Sequence, residues 1–370
     1  MIICGGGTAG HVYPGLALAE ALDLAAPDSE TLFVGADNGL EASLLPRLGR
    51  ELYTLKVRGL PRKISFKALY SLSLMAWAYL QAGRLLRRYR PDVVVGMGGY
   101  ASLPVAYAAL RQGIPLVIHE QNSVPGLVNR RLGGRATVVA LTYPESARFF
   151  PSTAKPPRLT GNPVRSQIKP VAAAEARRRL ELEPGRLTIL AIGGSRGARQ
   201  INVAALGMYE LVRQRDDIQV LIISGQSRFE ETRSTLDSLR LPSDKVAYRV
   251  APYMDDIVWA YAAADVVVSR AGSGSIAELT LCGKPSVLVP YPYATDDHQT
   301  ANAAGVTAAG AAVVLDNDAL NGESLWRTLS GLLTESGKLE AMAEAALAWA
   351  KPDAARELAE VVVEAAGNVE

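Results

Sequence analysis

Short runs rich in β-branched residues and leucine recur along this chain, separated by amphipathic stretches of helical length. Residues 31–34, 92–95, 115–118 and 137–140 form one series, and 187–192, 220–223, 266–268 and 286–289 form a second. Such apolar runs belong to parallel strands buried on both faces by helices. Two series of this kind predict two doubly wound α/β domains. At 370 residues the chain is long enough for each to bury its own core. The proline-rich stretch 151–163 reads as the crossing between them. The alanine-rich tail, 338–366, reads as two helices broken at Pro352, the last of them able to return to the first domain. The expected division is 1–162 together with 353–370, and 163–352.

Composition narrows the function classes. The net charge is +2 with 21% charged residues, so bulk charge gives no argument for nucleic acid. The two cysteines, Cys4 and Cys282, form no C-x-x-C pattern. No disulfide framework or zinc site is expected, and a reducing compartment is the default. The first residues already read as strand and glycine loop rather than as a signal peptide, although the strand's brevity leaves room for residues before Met1. The longest uncharged stretch, 68–83, has sixteen residues. A spanning helix needs roughly 20, so no membrane crossing is expected.

The first strand runs into Gly5-Gly6-Gly7-Thr8-Ala9-Gly10-His11 and then a helical pattern. Such a loop sets bare N–H groups and a positive helix end beside any anion that docks there. Gly5, Gly7 and Gly10 also satisfy G-x-G-x-x-G, with Asp37 as a possible ribose acid, so a dinucleotide site is one reading. A glycine turn that only packs helix on strand is another. His11 favours a third, because a nucleotide loop needs no imidazole. At a helix start the dipole keeps that ring neutral and able to accept a proton.

Other strands also end in polar or glycine-rich clusters, at 96–100, 119–122, 193–197 and 270–275. Open α/β sheets gather ligands at strand carboxyl ends, so a shared site between the domains is expected. Residues 193–198 can cradle a phosphate through N–H groups and the Ser195 hydroxyl. No G-x-x-x-x-G-K-[ST] is present, which excludes an ATPase-type loop. Glu278 falls where it can reach ribose hydroxyls, and the amides and carboxylates of 296–302 suit sugar hydroxyls. Asp255 and Asp256 read as the start of a helix rather than as metal ligands.

The segment 58–90 carries cations at both ends: Arg58, Arg62, Lys63 and Lys67 before its helix, and Arg84, Arg87, Arg88 and Arg90 towards its close. Phe66, Tyr70, Leu74 and Trp77 fall on one face, and Leu69, Leu72, Ala76 and Leu80 on another. A helix apolar on two faces either lies wholly in a core or packs one face and offers the other to lipid. Flanking cations favour anionic headgroups, at about 1 kcal/mol each.

Taken together, seven motifs resemble the MurG-type N-acetylglucosaminyltransferases of bacterial peptidoglycan synthesis nearly end to end. They are GGGTAGHVYPG at 5–15, GMGGYAS at 96–102, HEQNSVPG at 119–126, GNPVR at 161–165, GGSRGA at 193–198, AGSGSIAE at 271–278 and DHQTANA at 297–303. The resemblance implies a GT-B fold, two Rossmann-like domains with a deep interdomain cleft and the last helix crossing back to the first. It implies an acceptor pyrophosphate at Thr8, Ala9, Gly10, Gly98, Gly99 and Tyr100. The donor, UDP-GlcNAc, would meet the same Thr8-Ala9-Gly10 loop and Asn122, Arg165, Ser195, Met254, the run Ser273, Gly274, Ser275, Ile276, Ala277 and Glu278, and Gln299 with Asn302. The membrane patch would be Phe66, Leu69, Leu74 and Trp77 with Arg62, Lys63 and Lys67. Three positions depart from the family pattern: Ala9 replaces a usual glycine, His298 stands where some relatives have glutamine, and Met254 is variable.

The activity so implied is single inversion, from UDP-GlcNAc to the C4 hydroxyl of MurNAc in undecaprenyl-pyrophosphoryl-MurNAc-pentapeptide (lipid I), giving lipid II. His11 is the expected general base and Glu120 a second candidate, with no metal or other cofactor. Expected partners are the donor, lipid I, the anionic inner-membrane surface at its cytoplasmic face, and cell-wall synthesis proteins, but no nucleic acid. The competing readings are an NAD-dependent oxidoreductase, a non-catalytic undecaprenyl-lipid-binding module, and a UDP-GlcNAc 2-epimerase of the same fold.

Overall fold

The computed structural model describes the chain apart from residues 60–65, 152, 154, 195–196 and 368–370, and apart from the side chains of 66–68. The chain divides into two compact units, Met1–Arg165 with Lys351–Glu370, and Ser166–Ala350.

The first unit holds a seven-stranded parallel sheet. Its strands are β1 (Ile2–Gly5), β2 (Leu32–Ala36), β3 (Leu52–Leu55), β4 (Val94–Gly98), β5 (Leu116–Glu120), β6 (Val138–Leu141) and β7 (Arg158–Leu159). They lie in the order β3-β2-β1-β4-β5-β6-β7. Ile2 stands level with Leu32 on one side and Val94 on the other. The order reverses between β1 and β4, and such switch points open a crevice at the strand carboxyl ends.

β7 corrects the reading of 151–163 as a crossing between domains. Arg158 and Leu159 pair with Ala140 and Leu141, so this stretch is still part of the first sheet. A short added strand covers the open N–H and C=O groups of the β6 edge. The tail forms the helices Lys338–Trp349 and Ala354–Gly367, with Pro352 between them. Leu358, Val361, Val362 and Ala365 follow helical spacing and join Ile3, Leu18, Val95 and Val117 in one buried cluster of the first unit.

The helix Phe66–Tyr89 buries neither of the two faces expected of it. Ser71, Ala78, Ala82 and Leu86 turn inward, a narrow stripe of mostly small residues that lets the helix lie close to the helix Ser102–Arg111. Leu69, Tyr70, Leu72, Trp77 and Leu80 are each at least half exposed, whereas Leu74 is half-buried at the boundary. Arg62 and Lys63, and the side chains of Phe66 and Lys67, lie outside the described residues.

The second unit holds a six-stranded parallel sheet of β8 (Leu187–Ile192), β9 (Ile218–Ile223), β10 (Ala247–Ala251), β11 (Val266–Ser269), β12 (Ser286–Leu288) and β13 (Ala312–Val314). The order β10-β9-β8-β11-β12-β13 puts its switch point between β8 and β11. Asp255 and Asp256 lie in the turn entering the helix Val258–Ala263, as their sequence position predicts. Among the described residues no group of three or more His, Cys, Asp or Glu is placed to hold a metal.

Candidate active site

In the first unit the chain leaves β1 through the glycine loop and enters the helix Ala9–Ala25, with Thr8 extended at its N-cap. Ala9, the departure from the family glycine, is the first helical residue, where an alanine carries no backbone penalty. His11 sits in the first turn and is half-buried. Its Nδ1 lies 3.2 Å from the Gly6 carbonyl oxygen and 3.1 Å from Thr8 Oγ1. A carbonyl only accepts, so the Gly6 contact requires the proton on Nδ1 and leaves the lone pair of the neutral ring on Nε2.

The end of β4 closes over this ring. Gly98 and Gly99 take φ of +94° and +79°. A Cβ on Gly98 would stand 3.1 Å from His11 Nε2, and one on Gly99 would stand 2.6 Å from the Gly6 oxygen. Only glycines let this turn lie against the imidazole. The Ser102 hydroxyl donates to the Gly99 carbonyl at 2.8 Å, and exposed Tyr100 flanks the turn. The structure thus brings Thr8, Ala9, Gly10, His11, Gly98, Gly99 and Tyr100 to one switch point.

At the end of β5, Glu120 serves a different purpose from the one expected. It is 1% exposed. One of its oxygens accepts from the backbone N–H and side-chain amide of Asn122, and the other from Gly126 N–H and Asn129 Nδ2. Burial raises its pKa against those hydrogen bonds. A carboxylate held by four donors inside a loop organises that loop. Gln121 Nε2 donates to the Met97 carbonyl at 2.9 Å, fastening the same loop to the end of β4. Asn122 itself is half-buried on this loop. Arg165, the last residue of the unit's first segment, stacks its guanidinium 4.1 Å from the Tyr13 ring centroid.

In the second unit the helix Ser273–Leu281 follows β11 with Gly272 at its N-cap. Its first N–H groups point out of the helix end at Ser273, Gly274 and Ser275, a place suited to a diphosphate. The Ile276 side chain is buried and apolar, so this residue can offer a ligand only backbone. Glu278, one turn further on, accepts from the Tyr261 hydroxyl at 2.9 Å. Met254 lies in the loop after β10. Gln299 Oε1 accepts from Tyr291 N–H at 2.9 Å, which fixes its amide on the β12 side. Asn302 is fully buried, and its side-chain amide donates to the Ala271 carbonyl at 3.3 Å, behind the turn after β11. Ser195 lies outside the described residues.

Several supporting residues carry no sequence signal of their own. Glu41, Asn129 and Tyr261 become visible only through their partners. Asp37, the ribose acid of the dinucleotide reading, is instead paired with Arg58 at 2.7 Å.

Comparison with known proteins follows the same two-part division. The profile of the Glycosyltransferase family 28 N-terminal domain matches residues 1–141, and that of the Glycosyltransferase family 28 C-terminal domain matches 188–358. The UDP-N-acetylglucosamine--N-acetylmuramyl-(pentapeptide) pyrophosphoryl-undecaprenol N-acetylglucosamine transferase of Halothermothrix orenii is 38% identical over 99% of each chain. The chain belongs to glycosyltransferase family 28. The transferase of the same name from Moorella thermoacetica is 41% identical over 98% of both chains. Among solved structures, Acinetobacter baumannii MurG matches with a TM-score of 0.77 at 28% identity, covering 98% of this chain and 99% of its own. A putative UDP-N-acetylglucosamine 2-epimerase from Listeria monocytogenes reaches 0.72 at 15% identity, a likeness of fold alone. With two Rossmann-like parallel sheets, this family 28 chain has the GT-B fold.

Proposed function

We propose that this chain transfers GlcNAc from UDP-GlcNAc to the C4 hydroxyl of MurNAc in undecaprenyl-pyrophosphoryl-MurNAc-pentapeptide, forming lipid II. The observation that carries the reading is the likeness, at 38% and 41% identity over 98–99% of each chain, to transferases named for that reaction. The site geometry agrees with it, since the shared polar clusters end strands beside each sheet's switch point.

In this reading the acceptor pyrophosphate meets the helix start at Thr8, Ala9 and Gly10 and the Gly98–Gly99 turn. The acceptor's C4 oxygen attacks the anomeric carbon as the bond from that carbon to the UDP oxygen breaks, and the hydroxyl proton passes to His11 Nε2. In the second unit, the helix start at Ser273–Ser275 faces the departing diphosphate, Glu278 the ribose, backbone near Met254 the uracil, and Gln299 the GlcNAc hydroxyls. Preorganised N–H groups stabilise that charge without requiring a metal.

The reading extends to a peripheral position on an anionic bilayer, at the face where the nucleotide donor is available. The exposed stripe Leu69, Tyr70, Leu72, Trp77 and Leu80, followed by Arg84, Arg87 and Arg88 on the same helix, supports it. No helix among the described residues is long and apolar enough to cross a membrane.

The deciding experiment measures UDP release from UDP-GlcNAc in EDTA, with and without a lipid I analogue. Release that needs the acceptor and survives the chelator is the expected result. Release without acceptor would indicate epimerase or hydrolase chemistry, and no release in either condition would overturn the transferase reading.

A further inference from the structure

One peptide group separates Glu41 from His11. The Gly6–Gly7 peptide presents its carbonyl oxygen to His11 Nδ1 at 3.2 Å. Its N–H, on the opposite side, donates to Glu41 Oε2 at 2.9 Å, with Oε1 at 3.1 Å. Glu41 is 1% exposed, and its Oε1 also accepts from Ala36 N–H at 2.7 Å. Three glycines leave room for this one side chain: a Cβ on Gly6, Gly35 or Gly39 would come within 1.9, 2.5 or 2.2 Å of a Glu41 side-chain atom. So much surrounding chain shaped to one buried acid marks it as more than a packing choice.

We propose that Glu41 is a positioning residue for His11, acting through the Gly6–Gly7 peptide. A peptide between two glycines is the easiest in a chain to rotate, and rotation would exchange the carbonyl facing His11 for an N–H. Glu41 holds the N–H on its own side and so keeps the carbonyl towards the ring. That carbonyl accepts the Nδ1 proton and keeps Nε2 as the acceptor. A carboxylate on one end of the peptide also polarises it, strengthening the carbonyl as an acceptor at the other. The Thr8 hydroxyl, the other partner of Nδ1, can donate or accept and therefore cannot select a tautomer alone. The inference deepens the proposed function, because it rests on His11 serving as the base.

The test reads the imidazole directly. The chain has three histidines, so ¹⁵N-histidine labelling gives a spectrum simple enough to assign with His119→Gln and His298→Gln. The wild-type His11 ring is expected as the Nδ1–H tautomer. In Glu41→Gln an amide NH₂ competes with the Gly7 N–H, and the ring should become a mixture of tautomers. Its kcat should fall about 10- to 100-fold while the KM for UDP-GlcNAc stays within about twofold. Thr8→Val leaves the relay intact and should keep the Nδ1–H form, which preserves a test if Glu41→Gln does not fold. An Nε2–H ring in wild type, an unchanged tautomer in folded Glu41→Gln, or loss of the tautomer in Thr8→Val would overturn the proposal. Full turnover in His11→Ala would instead remove the base assignment and leave the tautomer result standing.

Discussion

The Nε2–H of fully buried His119 donates to the carbonyl oxygen of Gly161 at 2.9 Å. Gln121 Nε2 donates to the other ring nitrogen at 3.0 Å, so the imidazole is neutral. Gly161 has φ +82°, and a Cβ there would strike Lys351, the first residue of the returning tail. The histidine therefore ties β5 to the place where the chain leaves and re-enters the first unit. Burial pushes its pKa down from 6.5 to about 4. A folded pKa below the unfolded one means that the unfolded chain takes up the proton first as pH falls. Stability is then full above about pH 6.5 and declines towards pH 4, by about 3 kcal/mol in all. Urea midpoints measured between pH 7.5 and 4.5 should show this slope in wild type and a flatter one in His119→Gln.

Removal of the proposed base should act on turnover and spare donor binding. His11→Ala is expected to lower kcat about 10²- to 10⁴-fold, the usual contribution of a positioned base. The KM for UDP-GlcNAc should move no more than a few-fold. Steady-state kinetics with a lipid I analogue measure both, and turnover close to wild type would dismiss the assignment.

Donor affinity should depend on Glu278 and, less strongly, on Tyr261. A hydrogen bond to a charged group contributes about 1.5–3 kcal/mol, so Glu278→Ala should weaken UDP binding about 10- to 100-fold. Tyr261→Phe removes only the hydroxyl that orients the carboxylate, and a loss of about two- to tenfold is expected. Calorimetric titration with UDP reads both, and equal losses would contradict the orienting role.

The exposed helix stripe makes a separable prediction. Trp77→Ser combined with Leu80→Ser removes two apolar groups, each worth about 1.5–3 kcal/mol when buried. Flotation with phosphatidylglycerol vesicles should show binding reduced by about 100-fold or more, with activity on a water-soluble acceptor preserved. Raising the salt should weaken the wild-type contact through its arginines.

Much of this architecture is legible in the sequence, and what is missed has a pattern. The strands read from apolar runs are the interior strands of the two sheets. The four not read, β3, β7, β10 and β13, are the edge strands. An edge strand is covered less, so it need not be apolar: β10 reads Ala-Tyr-Arg-Val-Ala with Arg249 exposed. The site shows a similar division. Glycine loops and polar strand ends stand out by composition, because few other places require them. Glu41 does not, since a buried glutamate and a solvated one are the same letter. Glu120 shows the opposite case, because a polar residue next to a site can face inward to hold its loops.

The place of the helix Ala354–Gly367 in the first unit also orders events in time. A ribosome completes residues 1–165 while the segment that covers one face of their sheet does not yet exist. The apolar surface around Ile3, Leu18 and Val117 stays uncovered while all of 166–350 is being made. The second unit, drawn from one unbroken stretch, has every part it needs first. The first unit therefore waits for the last helix to be synthesised, and the His11 loop, built on β1 beside that cluster, is finished late.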